Sequence, residues 1–251
     1  IVADGNDGSA LKLILRDVNG NLITGQTVLF STALGNTAIT DDAEAQGGTY
    51  TATLKGTMAG TATIKVSLNG TELAGITTDV KLIGDKNNPD STKSELTALP
   101  GQIVADGKDG AVLKLILRDV NNNMLPGQTV EFITALGNTA ITDNDEPQDG
   151  VYTATLKGTT AGTATIKVKV NGTELTGISA DVILIGDKNN PDGTKSELTA
   201  LPDTIVANGT AESKLKLILR DINGNLITGQ EVIFTSTLEN TTVGGTSENT
   251  G

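Results

Sequence analysis

A repeat of 102 residues constrains the fold of this chain more than any other feature of its sequence. The heptapeptide Leu-Lys-Leu-Ile-Leu-Arg-Asp occurs at residues 11–17, 113–119 and 215–221. Aligned without a gap, residues 1–102 and 103–204 are roughly three-quarters identical. Because solenoid repeats are only about 20–50 residues long, a period of this length predicts that each repeat is a whole domain.

The repeat divides the chain into three predicted domains joined end to end. Residues 1–84 are the first unit, which lacks its first strand; residues 93–186 are a complete second unit; residues 195–251 are the N-terminal part of a truncated third unit. The joints share the sequence Gly-Asp-Lys-Asn-Asn-Pro-Asp, at 84–90 and 186–192, which is typical of a turn-rich boundary. Residues 1–5 recur inside the second unit, so we expect the chain to belong to a longer protein.

Alternation of apolar and polar residues predicts that each unit is all-β. Residues 164–170 alternate without exception, and Asn171-Gly172 directly after them predicts a tight hairpin. A final strand is predicted from Ile178 to Leu184. About seven to eight short strands in about 100 residues are typical of an antiparallel β-sandwich. We expect one shared core, with the Tyr152 hydroxyl bonded to the backbone; its members include Leu115, Phe132, Tyr152, Ile166 and Val182.

Composition excludes several classes of partner. With 30 acidic and 18 basic residues, the net charge is −12, which repels phosphate backbones and anionic membrane surfaces. No apolar run approaches the roughly 20 residues that a membrane-spanning helix needs. We therefore expect no nucleic-acid partner and no membrane insertion by this part of the chain.

The sequence is poorly supplied for catalysis. It contains no histidine and no cysteine, the commonest general base and thiol nucleophile. Three carboxylates, Asp41, Asp42 and Glu44, cluster in a predicted loop of the first unit, and we interpret them as solvated loop acids. Their counterparts in the second unit are Asp143, Asn144 and Glu146, where an amide replaces one carboxylate. We predict that the chain is not an enzyme.

The joints offer oxygen ligands for a hard cation, and Ca²⁺ takes about 6–8 of them. The candidate ligands are Asp85, Asn87 and Asp90 at the first joint and Asp187, Asn189 and Asp192 at the second. The favoured interpretation is a turn whose side chains bond their own backbone, and interdomain Ca²⁺ stays open beside it. Residues 17–21 imitate the start of an EF-hand loop, but Val28 stands where its last ligand would be, so we predict a β-turn.

Six motifs follow one another in the second unit. In order they are Leu-Thr-Ala (96–98), Ile-Val-Ala-Asp-Gly (103–107), Leu-Arg-Asp (117–119), Pro-Gly-Gln-Thr-Val-Glu-Phe (126–132), Tyr-Thr-Ala-Thr-Leu (152–156) and Thr-Ala-Gly-Thr-Ala-Thr-Ile (160–166). This succession resembles the group 1 bacterial Ig-like (Big-1) domain, which occurs in tandem in the invasin and intimin adhesins of Gram-negative bacteria. The resemblance covers essentially the whole chain.

The resemblance implies tandem immunoglobulin-like domains on the outside of a bacterial cell. The units are then spacers in the stalk of an outer-membrane-anchored adhesin, which project a distal binding domain. The implied partners are neighbouring Ig-like domains and, through domains outside this chain, a host cell-surface receptor. Two alternatives stay open: the Ig-like domains themselves bind a host protein or glycan, or they form an accessory region of a secreted hydrolase.

Overall fold

The computed structural model describes residues 1–41, 47–143 and 148–244 of the protein. In these ranges every regular element is a β-strand, which confirms the predicted all-β class. None of the described residues belongs to a helix that could cross a membrane.

The first unit consists of two antiparallel three-stranded sheets. One sheet has the order β1-β4-β3 and the other has the order β2-β5-β6. Val2 adds a parallel bridge to Ile83 beside the end of β6. The strands are β1 (Gly8–Ile14), β2 (Val28–Thr32), β3 (Thr37–Asp41), β4 (Thr49–Gly56), β5 (Gly60–Leu68) and β6 (Thr71–Leu82).

The second unit repeats this arrangement and adds strands at its front. Its strands are β7 (Glu95–Leu99), β8 (Gln102–Val104), β9 (Ala111–Ile116), β10 (Val130–Ile133), β11 (Thr139–Asp143), β12 (Val151–Gly158), β13 (Gly162–Val170), β14 (Thr173–Glu174) and β15 (Ala180–Ile185). One sheet has the order β11-β12-β9-β7. The other has the order β10-β13-β15-β8, with β8 parallel to β15 and β14 beside β13.

The core of the second unit lies between these two sheets. It contains all five residues predicted to share it, among them Leu115, Phe132 and Ile166. The Tyr152 hydroxyl donates to the carbonyl of Leu125 at 2.7 Å and accepts from the N–H of Gln128 at 2.8 Å. Burial of the Tyr152 hydroxyl raises its pKa. The predicted backbone bond of this tyrosine is confirmed.

The hairpin after β13 has the predicted geometry, but the last strand is shorter than predicted. Asn171 and Gly172 have φ angles of 51° and 83°, as a two-residue type I′ turn requires. The strand predicted from Ile178 begins at Ala180. Gly177 just before it has φ 86°, outside the β region, so the ladder is interrupted there. Ile178 still packs against the core.

The third unit shows one sheet of two antiparallel strands in its described residues. They are β16 (Glu197–Leu201) and β17 (Lys214–Ile218), the counterparts of β7 and β9. Leu215 of β17 is 41% exposed, whereas its counterpart Leu113 is fully buried.

Candidate functional site at the joints between units

A buried carboxylate lies at the centre of the first joint. Asp119, just after β9, has no exposed surface. Its Oδ1 accepts hydrogen bonds from the N–H groups of Asn121 and Asn123 at 2.9 and 2.8 Å. Its Oδ2 accepts from the Asn123 side-chain amide at 3.0 Å and from the N–H of Asp85, in the joint, at 2.9 Å. Hydrogen bonds from four N–H groups therefore satisfy this buried carboxylate.

The Asn123 side chain, held by Asp119, binds the main chain of the first unit. Its Oδ1 accepts from the N–H of Ala59 at 2.7 Å, and its Nδ2 donates to the carbonyl of Thr57 at 3.0 Å. Thr57 and Ala59 lie in the turn between β4 and β5. Beside this pair, Asn121 Nδ2 donates to the carbonyl of Ala3 at 3.1 Å. We call this set of contacts from Asp119, Asn121 and Asn123 to the preceding unit the joint clasp.

The same clasp is present at the second joint. Its members are Asp221, Asn223 and Asn225, which face Ala105, Thr159 and Ala161 of the second unit. The bond from Ala161 N–H to Asn225 Oδ1 is 2.7 Å, and the bond from Asn225 Nδ2 to the Thr159 carbonyl is 3.0 Å. Both distances equal those of the first joint, so the clasp is a property of the repeat.

Gly84 permits the close approach of the two units at the first joint. A Cβ atom added there would lie 2.8 Å from both the Met124 carbonyl oxygen and Leu125 Cδ2 of the second unit. Cβ atoms do not approach backbone oxygens this closely, so a larger residue would force the units apart. The counterpart Gly186 faces the carbonyl of Leu226 in the same way.

The electrostatics of the second joint depend on hydrogen bonds. Burial raises the pKa of Asp221, but the N–H groups of Asp187, Asn225 and Asn223 that donate to its carboxylate lower the pKa by more. The net pKa lies below the ordinary value of 3.8. The carboxylate is therefore charged at neutral pH, when it holds the clasp.

The residues predicted as calcium ligands lie in the joints, but their carboxylates face N–H and O–H donors. Asp85 accepts from Asn87 N–H at 3.0 Å and from the Asn88 side-chain amide at 2.5 Å. Asp90 accepts instead from the N–H and hydroxyl of Thr92. The second joint matches: Asp187 accepts from Asn189 N–H at 2.9 Å, and Asp192 accepts from Thr194.

This geometry is that of the turn interpretation. Within residues 1–41, 47–143 and 148–244, no group of three or more acidic, histidine or cysteine side chains is placed to hold a metal. Binding of Ca²⁺ at the joints, which the sequence analysis left open, is therefore to be tested by titration. Because the oxygens already accept hydrogen bonds, we expect calorimetry to show no saturable binding at about millimolar Ca²⁺. Binding that is abolished by Asp85→Ala and Asp187→Ala would contradict the turn interpretation.

The structure also describes some of the loop acids and the turn that resembles the start of an EF-hand loop. Asp41 and Asp143 are exposed at the ends of β3 and β11, while Asp42, Glu44, Asn144 and Glu146 lie outside the described residues. Residues 17–21 form the predicted turn, in which Asp17 accepts from the N–H groups of Asn19 and Asn21. The sequence interpretation missed that this turn becomes the clasp in the second and third units. Its signal was the recurrence of Asp-x-Asn-x-Asn in all three units.

Comparison with known proteins identifies the family of the chain. The family described as Invasin, domain 3 matches residues 1–85 and 90–185, and the bacterial Ig-like domain (group 1) matches residues 195–251. The chain belongs to the invasin family of bacterial Ig-like domains. The predicted resemblance is thereby confirmed.

Two adhesins are similar to this chain in sequence. The inverse autotransporter adhesin YeeJ of Escherichia coli (strain K12) is 30% identical over 223 residues, which are 84% of this chain and 9% of YeeJ. Invasin of Yersinia enterocolitica is 27% identical over 177 residues, which are 69% of this chain and 20% of invasin. The chain thus spans a small part of the length of these adhesins.

Two solved structures from the same family support the fold. InvD of Yersinia pseudotuberculosis has a TM-score of 0.66 and 30% identity, with 91% of this chain and 69% of that chain covered. The crystal structure of invasin, described as a bacterial integrin-binding protein, has a TM-score of 0.53 and 29% identity, with 91% of this chain and 46% of that chain covered. The immunoglobulin-like sandwich is therefore shown for this chain.

Proposed function

We propose that this chain is part of the stalk of a bacterial cell-surface adhesin and that its units are spacers which project a distal binding domain. The observation that carries the proposal is the joint clasp, which recurs with the same distances at both joints. A spacer needs a fixed angle between neighbours, and a clasp built into the repeat supplies the same joint each time.

Several contacts of the clasp combine to fix the joint. Asn123 forms two hydrogen bonds to the first unit at once, and Asn121 adds a third to Ala3. The linker is tied to the second unit as well, because Asp90 N–H donates to the Arg118 carbonyl at 2.8 Å. Restraint at several points supports a stiff rod, in contrast to the coil that a long Gly/Ser linker forms.

The atoms that receive the clasp support interchangeable spacers. Ala3, Thr57 and Ala59 contribute main-chain groups only to the clasp. Substitution of their side chains therefore leaves the recognised atoms in place, and one unit fits behind another without matched side chains. Repeats of this kind suit a stalk whose function is length.

The proposed location and partners follow from the relatives. YeeJ and the invasins are adhesins, and we propose an extracellular position on a bacterial surface, with an outer-membrane anchor in regions outside this chain. The partners are then the neighbouring Ig-like domains and a host receptor, bound by another domain. One relative is described as integrin-binding, which supports a host protein as the receptor class. In this proposal the chain has no enzymatic activity.

The experiment that tests the spacer function compares two glycine substitutions. Gly84→Ala is expected to loosen the first joint, because its Cβ would contact the Met124 carbonyl; Gly101→Ala is the control, because nothing lies within 4 Å of its Cβ. Small-angle scattering should show an elongated particle for the wild type and for Gly101→Ala, and a broader distribution of lengths for Gly84→Ala. A wild-type radius of gyration near about 18 Å, the value for one globule of this length, would contradict a rod.

A further inference from the structure

Both methionines of this chain lie at the first joint. They are Met58 and Met124, one in each of the two units. Met58 lies between Thr57 and Ala59, whose main-chain groups hold the Asn123 amide, and Met124 directly follows Asn123. Each side of the clasp is therefore next to a thioether in the chain.

The two methionines line the same groove, which is accessible from solvent. The groove has a volume of about 660 Å³, and Leu82, Ile83 and Pro126 also line it. Met58 is 38% exposed. Its Sδ lies near Gly35 of the first unit, at 3.8 Å from the position that a Cβ atom would take there. Met124 is half-buried. An oxidant in solution can thus reach the groove without unfolding either unit.

The second joint has the same clasp without sulfur. Thr160 stands in place of Met58, and Leu226 stands in place of Met124. The bonds of Asn225 to Ala161 and Thr159 nevertheless have the distances found at the first joint. The chain therefore contains its own comparison between a joint that is oxidisable and one that is not.

We propose that Met58 and Met124 are an oxidation site through which peroxides loosen the first joint selectively. In the reaction a sulfur lone pair attacks one oxygen of hydrogen peroxide, the O–O bond breaks and the other oxygen leaves as hydroxide. The sulfur is oxidised by two electrons, and the hydroxide takes the proton from the new S–OH group, which leaves a sulfoxide and water. The reaction needs no group from the protein other than the thioether.

Loosening follows from the polarity of the product. A sulfoxide is a strong hydrogen-bond acceptor, whereas a thioether packs as an apolar group. Sulfoxides on both walls of the groove favour entry of water between the units. The bond from Ala59 N–H to Asn123 Oδ1 joins the residue after Met58 to the residue before Met124. Water that enters the groove therefore competes directly for this bond.

The test treats the full chain with hydrogen peroxide and follows amide exchange at the two joints. Intact mass should show the addition of two oxygen atoms, and peptide mapping should place them on Met58 and Met124. Exchange of the Ala59 amide should then be about tenfold faster, the change expected from loss of one hydrogen bond of ordinary strength. The Ala161 amide, which makes the equivalent bond at the second joint, should be unchanged.

The control is the double variant Met58→Thr with Met124→Leu, which gives the first joint the residues of the second. Its Ala59 exchange should not respond to peroxide, and methionine sulfoxide reductases should restore slow exchange in the oxidised wild type. Full conversion to sulfoxide with unchanged Ala59 exchange would overturn the proposal. So would an equal acceleration at Ala161, or methionines that resist peroxide in the folded chain.

Discussion

Asp119→Ala is expected to lower the stability of the second unit by about 3 kcal/mol, because four N–H groups lose the carboxylate that accepts from them. The substitution should also act across the joint. Asp119 Oδ2 orients the Asn123 amide, so without it Asn123 no longer holds Ala59 and Thr57 of the first unit. Amide exchange at Ala59 should therefore rise although the substituted residue belongs to the next unit.

The matched control is Asp17→Ala. Asp17 makes the same three bonds within its own turn, from Asn19 N–H, Asn21 N–H and the Asn21 amide. All three donors belong to the first unit, and the Asp17 side chain is half-buried, whereas that of Asp119 is fully buried. The loss of stability for Asp17→Ala should be smaller and confined to the first unit, as measured by hydrogen exchange during denaturant titration. Equal losses for the two variants would mean that the clasp adds nothing to the turn.

Much of the fold could be predicted from sequence because its signals are local. The alternation over residues 164–170 predicted the buried face of β13, and Asn171-Gly172 predicted the turn that follows it. Both depend on the two-residue period of a strand and on φ preferences, which neighbouring residues determine. The predicted start of β15 was wrong by two residues. The apolar alternation begins at Ile178, but the left-handed Gly177 just before it interrupts the ladder, so the strand begins at Ala180.

The clasp was not predicted because half of it is main chain. Residues 17–21 were interpreted as a turn, which is how they fold in the first unit. The same Asp-x-Asn-x-Asn pattern at 119–123 binds N–H and carbonyl groups of residues 64 and 66 positions away. Main-chain groups leave no signature in sequence, since every residue supplies them. The acids of the joint attracted a calcium hypothesis, whereas the residues that bridge the units are amides.

The third unit provides the second large expected effect. Strand β17 (Lys214–Ile218) is bonded only to β16 in the described residues, while its counterpart β9 has β12 on one side and β7 on the other. Leu215 is 41% exposed, and Leu113 is fully buried. Amides of β17 open by local separation of two strands, whereas those of β9 open only with the whole sandwich. We expect exchange in β17 to be faster by a factor of about 1,000 or more.

The control for this comparison is β1 (Gly8–Ile14). Among the described residues it too has a single neighbour, β4, but the second sheet covers it, and Leu11 and Leu13 are buried. If burial of the inner face controls opening, exchange should be slowest in β9, intermediate in β1 and fastest in β17. The sample must be a verified monomer, because open strand edges promote association that would protect β17 in trans. Protection of β17 equal to that of β9 in such a monomer would show that two strands of this repeat are stable without the rest of the sandwich.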